Sequence, residues 1–163
     1  MKLSTRAIYS LRLMIYLADH AGRNTPISLK EISQEQNLPF RYLEQLVVAL
    51  KTAGLVKSVQ GKQGGYILGR EAQDIKALDV VEASMGHVEL LKCLEPDAPC
   101  TFRDVCTSRR MWGMIQTRIT DILAEYNLKD LSETDMKARL EQTLLGGVEA
   151  GAAMICDCRS ESS

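Results

Sequence analysis

The stretch PFRYLEQLVVALKTAGLVKSVQGKQGGYILG, residues 39–69, changes its repeat halfway along. Up to Gly54, Leu43, Leu46, Val47 and Leu50 recur at three- and four-residue steps, the period of a helix with one buried face. Pro39 suits the first turn of that helix, where the N–H it lacks would have had no partner. Gly54 ends it. From Leu55 onward the period shifts and glycines gather, which reads as strand, glycine-rich turn and strand, a β-hairpin directly behind the helix.

Immediately upstream, SLKEISQEQ begins a helix at Ser28 and Glu31. This is the S-x-x-E capping box, in which hydroxyl and carboxylate satisfy each other's exposed backbone donors. That helix is expected to end near Asn37. Two short helices joined by about four residues, the second apolar behind and polar in front, form a helix-turn-helix. With the hairpin added, the pattern is a winged helix. A first helix precedes it in TRAIYSLRLMIYLADHAG, where Ala7, Ile8, Leu11, Met14, Ile15 and Ala18 mark the inward stripe and Gly22 the stop.

Downstream, ALDVVEASMG predicts a short helix and is followed by a cysteine-bearing loop with Pro96 and Pro99. The longest helix runs from about Thr107 to Tyr126. Its apolar residues Trp112, Ile115, Ile119, Ile122 and Tyr126 step by three, four, three and four, a heptad seam that favours a partner helix. Packing against the chain's own first helix is the alternative. Ser132 and Asp135 are expected to cap a last helix through about Leu145, and the rest reads as a loose tail. The expected fold is mainly α with a small β-wing. Residues 1–70 would form a winged helix-turn-helix domain, 71–106 a connecting helix and cysteine loop, 107–145 dimerisation helices and 146–163 a flexible tail.

Of the 163 residues, 45% are hydrophobic and 25% charged, globular values, and no apolar run reaches the length of a membrane span. The amino terminus carries Arg6, Arg12 and Asp19 through its apolar stretch and has no small-residue cleavage signal. A cytoplasmic protein with no membrane partner is expected. The net charge of −1 conceals a division: residues 1–70 hold ten Lys/Arg and four Asp/Glu, whereas 71–163 hold ten and seventeen. The basic half is where a polyanion would bind.

A recognition helix offers the outward side chains of its first turns to base edges. Here these are Phe40, Arg41, Tyr42, Glu44 and Gln45. Arg41 is suited to a bidentate contact with guanine, Gln45 to adenine and Glu44 to the amino group of cytosine. Lys51, Lys57 and Lys62 are candidates for phosphates, which set affinity without reading sequence. Ser28 at the start of the preceding helix and Gln60 at the wing tip complete the candidate interface. Gly61, Gly64 and Gly65 would let the wing backbone approach a phosphate closely. The expected partner is double-stranded DNA with a palindromic operator.

Three of the five cysteines stand in CLEPDAPCTFRDVC, residues 93–106, with gaps of six and five residues. In a reducing compartment clustered cysteines read as metal ligands or redox thiols. A structural zinc site would want four ligands with tighter spacing. The wide gaps suit a loop wrapped around a cluster, and three free thiols are the plain alternative. Cys106 directly precedes the long helix, whose amino-terminal dipole favours negative charge on sulfur, and Arg103, Arg109 and Arg110 lie nearby. With no Cys-x-x-Cys, no glycine-rich cofactor fingerprint and only His20 and His87 for acid–base chemistry, the chain is not expected to be an enzyme.

The opening MKLSTRAIYSLRLMIYLA, the string RYLEQLVVALKTAGLVKSVQGKQGGYILGR and the three cysteines before the long helix together resemble the Rrf-two family of winged-helix transcription regulators. That family includes the iron–sulfur regulators IscR and NsrR, and the resemblance covers roughly residues 1–145. It implies a homodimer that crosses its long helices, with Cys93, Cys100 and Cys106 holding a 2Fe-2S or 4Fe-4S cluster near the interface. Cluster state would govern operator binding, as in a repressor that senses nitric oxide, iron or redox state. The fourth ligand does not carry over: Arg109 stands where the IscR type has histidine, and Ile8 where the NsrR type has an acidic residue. The remaining candidates are His87, Asp97, Asp104, Cys156, Cys158 or an exogenous small molecule. The alternatives are a cluster-free family member governed by thiol oxidation or a protein partner, and a non-regulatory iron–sulfur or redox carrier.

Overall fold

A computed structural model of the chain describes residues 5–22, 25–61, 64–95 and 97–145. Lys62, Gln63 and Pro96, together with Cys156 and Cys158 of the tail, lie outside the described residues. Two compact units are present, residues 1–132 and residues 133–163.

The first unit is built from α1 (Thr5–Asp19), α2 (Leu29–Glu35), α3 (Phe40–Thr52), β1 (Val56–Val59), β2 (Gly65–Leu68), α4 (Ala77–Met85), α5 (Thr107–Glu125) and α6 (Leu128–Ser132), with single 3-10 turns at Ala72–Asp74 and Lys92–Leu94. Helix α1 is the centre: it packs against α3, α4, α6 and β2. Its buried residues are Ala7, Ser10, Leu13, Met14, Leu17 and Ala18. The stripe expected from periodicity is therefore rotated. Ile8 is 52% exposed and Leu11 and Ile15 are only half-buried, while Leu13 and Leu17 reach the core. Apolar residues surround nearly the whole circumference of this helix, so spacing alone does not single out the inward face; the four neighbouring elements do.

Leu43, Leu46, Val47 and Leu50 of α3 are buried, as their spacing predicts, beside Ile32 of α2 and Val80 of α4. The Ser28 side chain caps α2 by accepting the Glu31 N–H at 3.1 Å. The turn between α2 and α3 passes through Asn37 at φ 49°, a left-handed conformation that asparagine tolerates. Leu38 is buried behind that turn. The Arg12 guanidinium of α1 donates to the Gln36 carbonyl and so fastens the turn to the central helix. Pro39 is the residue before α3 rather than its first, with φ −62° and ψ 120°.

The wing is an antiparallel pair in which Val56 faces Leu68 and Val59 faces Gly65. Tyr66 exchanges backbone hydrogen bonds with Ile27, at 3.0 and 2.8 Å, which ties the hairpin to the segment before α2. Two glycines are needed for these approaches. A Cβ on Gly65 would lie 2.5 Å from the Ile27 carbonyl oxygen, and one on Gly69 would lie 2.1 Å from that of Gly54. Gly65 thus has a structural duty within the fold, where the sequence had pointed to a phosphate.

Helix α6 begins on a reciprocal cap that the sequence reading missed. Asn127 Oδ1 accepts the Asp130 N–H at 2.9 Å, and Asp130 Oδ2 accepts the Asn127 N–H at 3.1 Å. Ser132 closes α6, its hydroxyl donating to the Lys129 carbonyl at 2.9 Å, and is not the cap of a later helix. In the second unit residues 136–145 are helical, with the Asp135 carbonyl accepting the Arg139 N–H and Arg139 paired to Glu133 at 3.1 Å. Among the described residues no helix is long and apolar enough to cross a membrane.

Candidate nucleic-acid interface and cysteine loop

Because α3 buries Leu43, Leu46, Val47 and Leu50, a rotation of 100° per residue turns Arg41 and Gln45 to the opposite side. Arg41, Glu44, Gln45 and Lys51 are exposed, and Phe40 is 43% exposed at the start of the helix. Tyr42 is different: it is half-buried against the core and meets Tyr9 edge to face, with ring centroids 5.7 Å apart. It supports the helix from behind. Ser28 is half-buried, and its hydroxyl accepts the α2 cap hydrogen bond. Gln60 is exposed at the wing tip. Arg41, Lys51 and Lys57 take part in no ion pair among the described residues, so their charge is free to meet a polyanion.

The cysteine loop is anchored to the amino-terminal part of α5. Leu90 N–H donates to Gln116 Oε1 at 3.0 Å, and Leu94 packs against Gly113. Cys93 lies in the 3-10 turn, and its carbonyl accepts the Arg109 Nε–H at 2.8 Å. Cys106 is the N-cap of α5, its Sγ accepting the Arg109 backbone N–H at 3.3 Å. One residue therefore holds the first and third cysteines of the loop. The Arg110 guanidinium donates to the Asp104 carbonyl at 3.0 Å.

Cys93 and Cys106 are half-buried, Cys100 is exposed and all three are free thiols. Among the described residues no three Cys, His, Asp or Glu side chains stand close enough together to hold a metal ion. Of the candidate fourth ligands, His87 is turned to Glu82 at 3.0 Å, and that carboxylate raises its pKa above the usual 6.5, while Asp97 and Asp104 face solvent. Arg109 as a clasp was invisible in the sequence, because its partner is a backbone carbonyl sixteen residues away.

Helix α5 has no buried residue in its nineteen. Its expected seam divides: Ile119, with Leu123, packs on the small cluster of Ala7, Val81 and Val88, whereas Trp112 and Ile115 are each 37% exposed and Ile122 is 56% exposed. Tyr126 is half-buried at the end of α5, its carbonyl accepting the Ala77 N–H. Met111 and Met114, 49% and 68% exposed, extend the apolar side and were not singled out by the heptad spacing.

The family described as "Iron-dependent Transcriptional regulator", Rrf2, matches residues 3–134. The chain belongs to the Rrf2 family. The HTH-type transcriptional regulator CymR of Bacillus subtilis (strain 168) is 40% identical over 132 residues, which cover 81% of this chain and 90% of CymR. The solved structure of that protein, described as the global cysteine regulator of B. subtilis, superposes with a TM-score of 0.67 over 81% of this chain and 96% of that one. A T. potens IscR structure, 38% identical, gives a TM-score of 0.65 over 80% of this chain and 85% of that one. The oxidised form of Staphylococcus aureus CymR, also 38% identical, gives 0.66 over 82% and 97%. The Rrf2 match and these relatives make the chain a DNA-binding transcriptional regulator with a winged helix, and not an enzyme.

Proposed function

We propose that this Rrf2 regulator binds its operator as a homodimer joined along α5 and that the chemical state of Cys93, Cys100 and Cys106 controls the binding. The observation that carries this reading is the anchoring: Gln116, Gly113, Arg109 and Cys106 fasten the loop to the part of α5 that exposes Met111, Trp112, Met114 and Ile115. A change at the thiols is felt first by the face that would meet a partner helix. In a dimer, the placing of α5 sets the distance between two recognition helices, which must match about 34 Å, one turn of DNA. Arg41, Glu44 and Gln45 would read bases, and Lys51, Lys57 and Lys62 would position the phosphates, with Phe40 and Ser28 at the helix starts and Gln60 at the wing.

Two chemistries suit the loop. Thiol oxidation agrees with three free cysteines and with the existence of an oxidised CymR among the relatives. An iron–sulfur cluster on the same three thiolates agrees with the family's iron-dependent description and with the IscR relatives, and it requires the loop to close from its present arrangement. The test is operator affinity of the anaerobically purified full-length chain with its iron and sulfide counted, then after reduction and after oxidation. A change within the 5- to 150-fold range usual for coupled sites is expected. Equal affinity in every state would refute control through the loop. Visible sulfur-to-iron absorption with stoichiometric sulfide would assign the control to a cluster, and a colourless protein would assign it to the thiols. Ile122→Asp should give a folded monomer with weakened operator binding; a dimer of unchanged mass would rule out the α5 seam.

A further inference from the structure

Opposite the buried residues of α3 runs a single line, Arg41, Gln45, Val48 and Thr52, at steps of four, three and four. Three of its members are polar. Val48 is not, and it is 63% exposed. It belongs to neither apolar cluster of the described residues, so packing does not account for it. Helix formation does not account for it either, because a β-branched residue is a poorer helix former than alanine. The hydroxyl of Thr52 is turned back onto the helix, donating to the Val48 carbonyl at 2.9 Å. Val48 is thus the last side chain of the line free to reach outward, next to two groups suited to base edges.

We infer that Val48 is a specificity-determining residue, whose isopropyl group packs on the C5-methyl of a thymine in the major groove. The inference rests on the DNA-binding reading above and adds to it a named base. An isopropyl group can neither donate nor accept a hydrogen bond. Among the groups the four base pairs display in the major groove, the thymine methyl alone is apolar. Val48 follows Gln45 by three positions, about 4.5 Å along the helix, against a base-pair rise of about 3.4 Å. The thymine therefore lies one or two base pairs from the base that Gln45 reads.

The experiment begins with an operator selected by the full-length wild-type protein from randomised duplexes. Each thymine of that operator is then replaced singly by deoxyuridine, which removes only the methyl group, and dissociation constants are measured for wild type and Val48→Ala. The wild type should lose about fourfold in affinity at one thymine of each half-site, the worth of one buried methyl-sized group. Val48→Ala should bind the original operator about that much more weakly and be indifferent to deoxyuridine at the same position. Alanine at an exposed helical site favours the helix, so folding is not at issue, and circular dichroism checks it. Wild-type indifference to deoxyuridine at every thymine, or an undiminished response in Val48→Ala, would overturn the assignment while leaving the regulator intact. Failure of the wild type to select any sequence would instead overturn specific DNA binding itself.

Discussion

Arg109→Gln isolates the clasp that holds the cysteine loop to α5. The substitution removes the charged donor to the Cys93 carbonyl, a 2.8 Å hydrogen bond at a half-buried site. It leaves the backbone N–H that caps Cys106 in place. Hydrogen bonds from charged groups contribute about 1.5–3 kcal/mol, and partial exposure puts this one near the lower end. About 1.5 kcal/mol corresponds to roughly a tenfold change in the ratio of closed to open loop. Amide hydrogen exchange reads that ratio directly, because the turn around Cys93 is held by Leu94 N–H donating to the Leu91 carbonyl at 2.9 Å and Glu95 N–H to the Lys92 carbonyl at 3.2 Å. In Arg109→Gln these two amides should exchange about tenfold faster, while Leu13 and Leu17 in the core keep their protection. Unchanged exchange at Leu94 and Glu95 would show that Arg109 does not hold the loop, and a loss spread over the whole chain would show that its role is global stability.

Gly65→Ala should break the paired hydrogen bonds between Ile27 and Tyr66 and lower the urea unfolding free energy by about 1–3 kcal/mol, while Gly22→Ala, with nothing within 4 Å of its new methyl, stays within about 1 kcal/mol of wild type. Ser10→Ala should raise stability by about 1 kcal/mol in the same assay, since the Ser10 hydroxyl is buried and has no partner among the described residues. The hydrogen bond and charge of Glu82 raise the pKa of His87, so its contribution to folding is fully present below about pH 6.5, the ordinary value, and is lost as pH rises through the raised one; an NMR titration should find that raised pKa, and Glu82→Gln should lower it. Lys51→Ala should weaken all DNA sequences alike and reduce the slope of log affinity against log salt by about 0.9, whereas Arg41→Ala should relax preference at one base pair by about 1–3 kcal/mol.

What the sequence determined was local and periodic. The three leucines and one valine buried by α3, the Ser28 cap and the change of period at Leu55 each act within a few residues, so the helix-turn-helix and the wing could be read along the chain. The basic first half follows from counting alone. Tertiary structure decided whatever depends on two distant segments meeting. Which face of α1 is inward was settled by α3, α4, α6 and β2 surrounding a helix that is apolar almost all round. Gly65 proved indispensable because the Ile27 backbone passes 2.5 Å from where its side chain would begin. Ile119 turned to the chain's own core while Ile115 and Ile122 stayed outside, although the heptad treats them alike. Arg109 joined Cys93 to Cys106 through a carbonyl, and a carbonyl belongs to every residue type; side-chain patterning carries no mark of such a partner, so only the folded chain could reveal it.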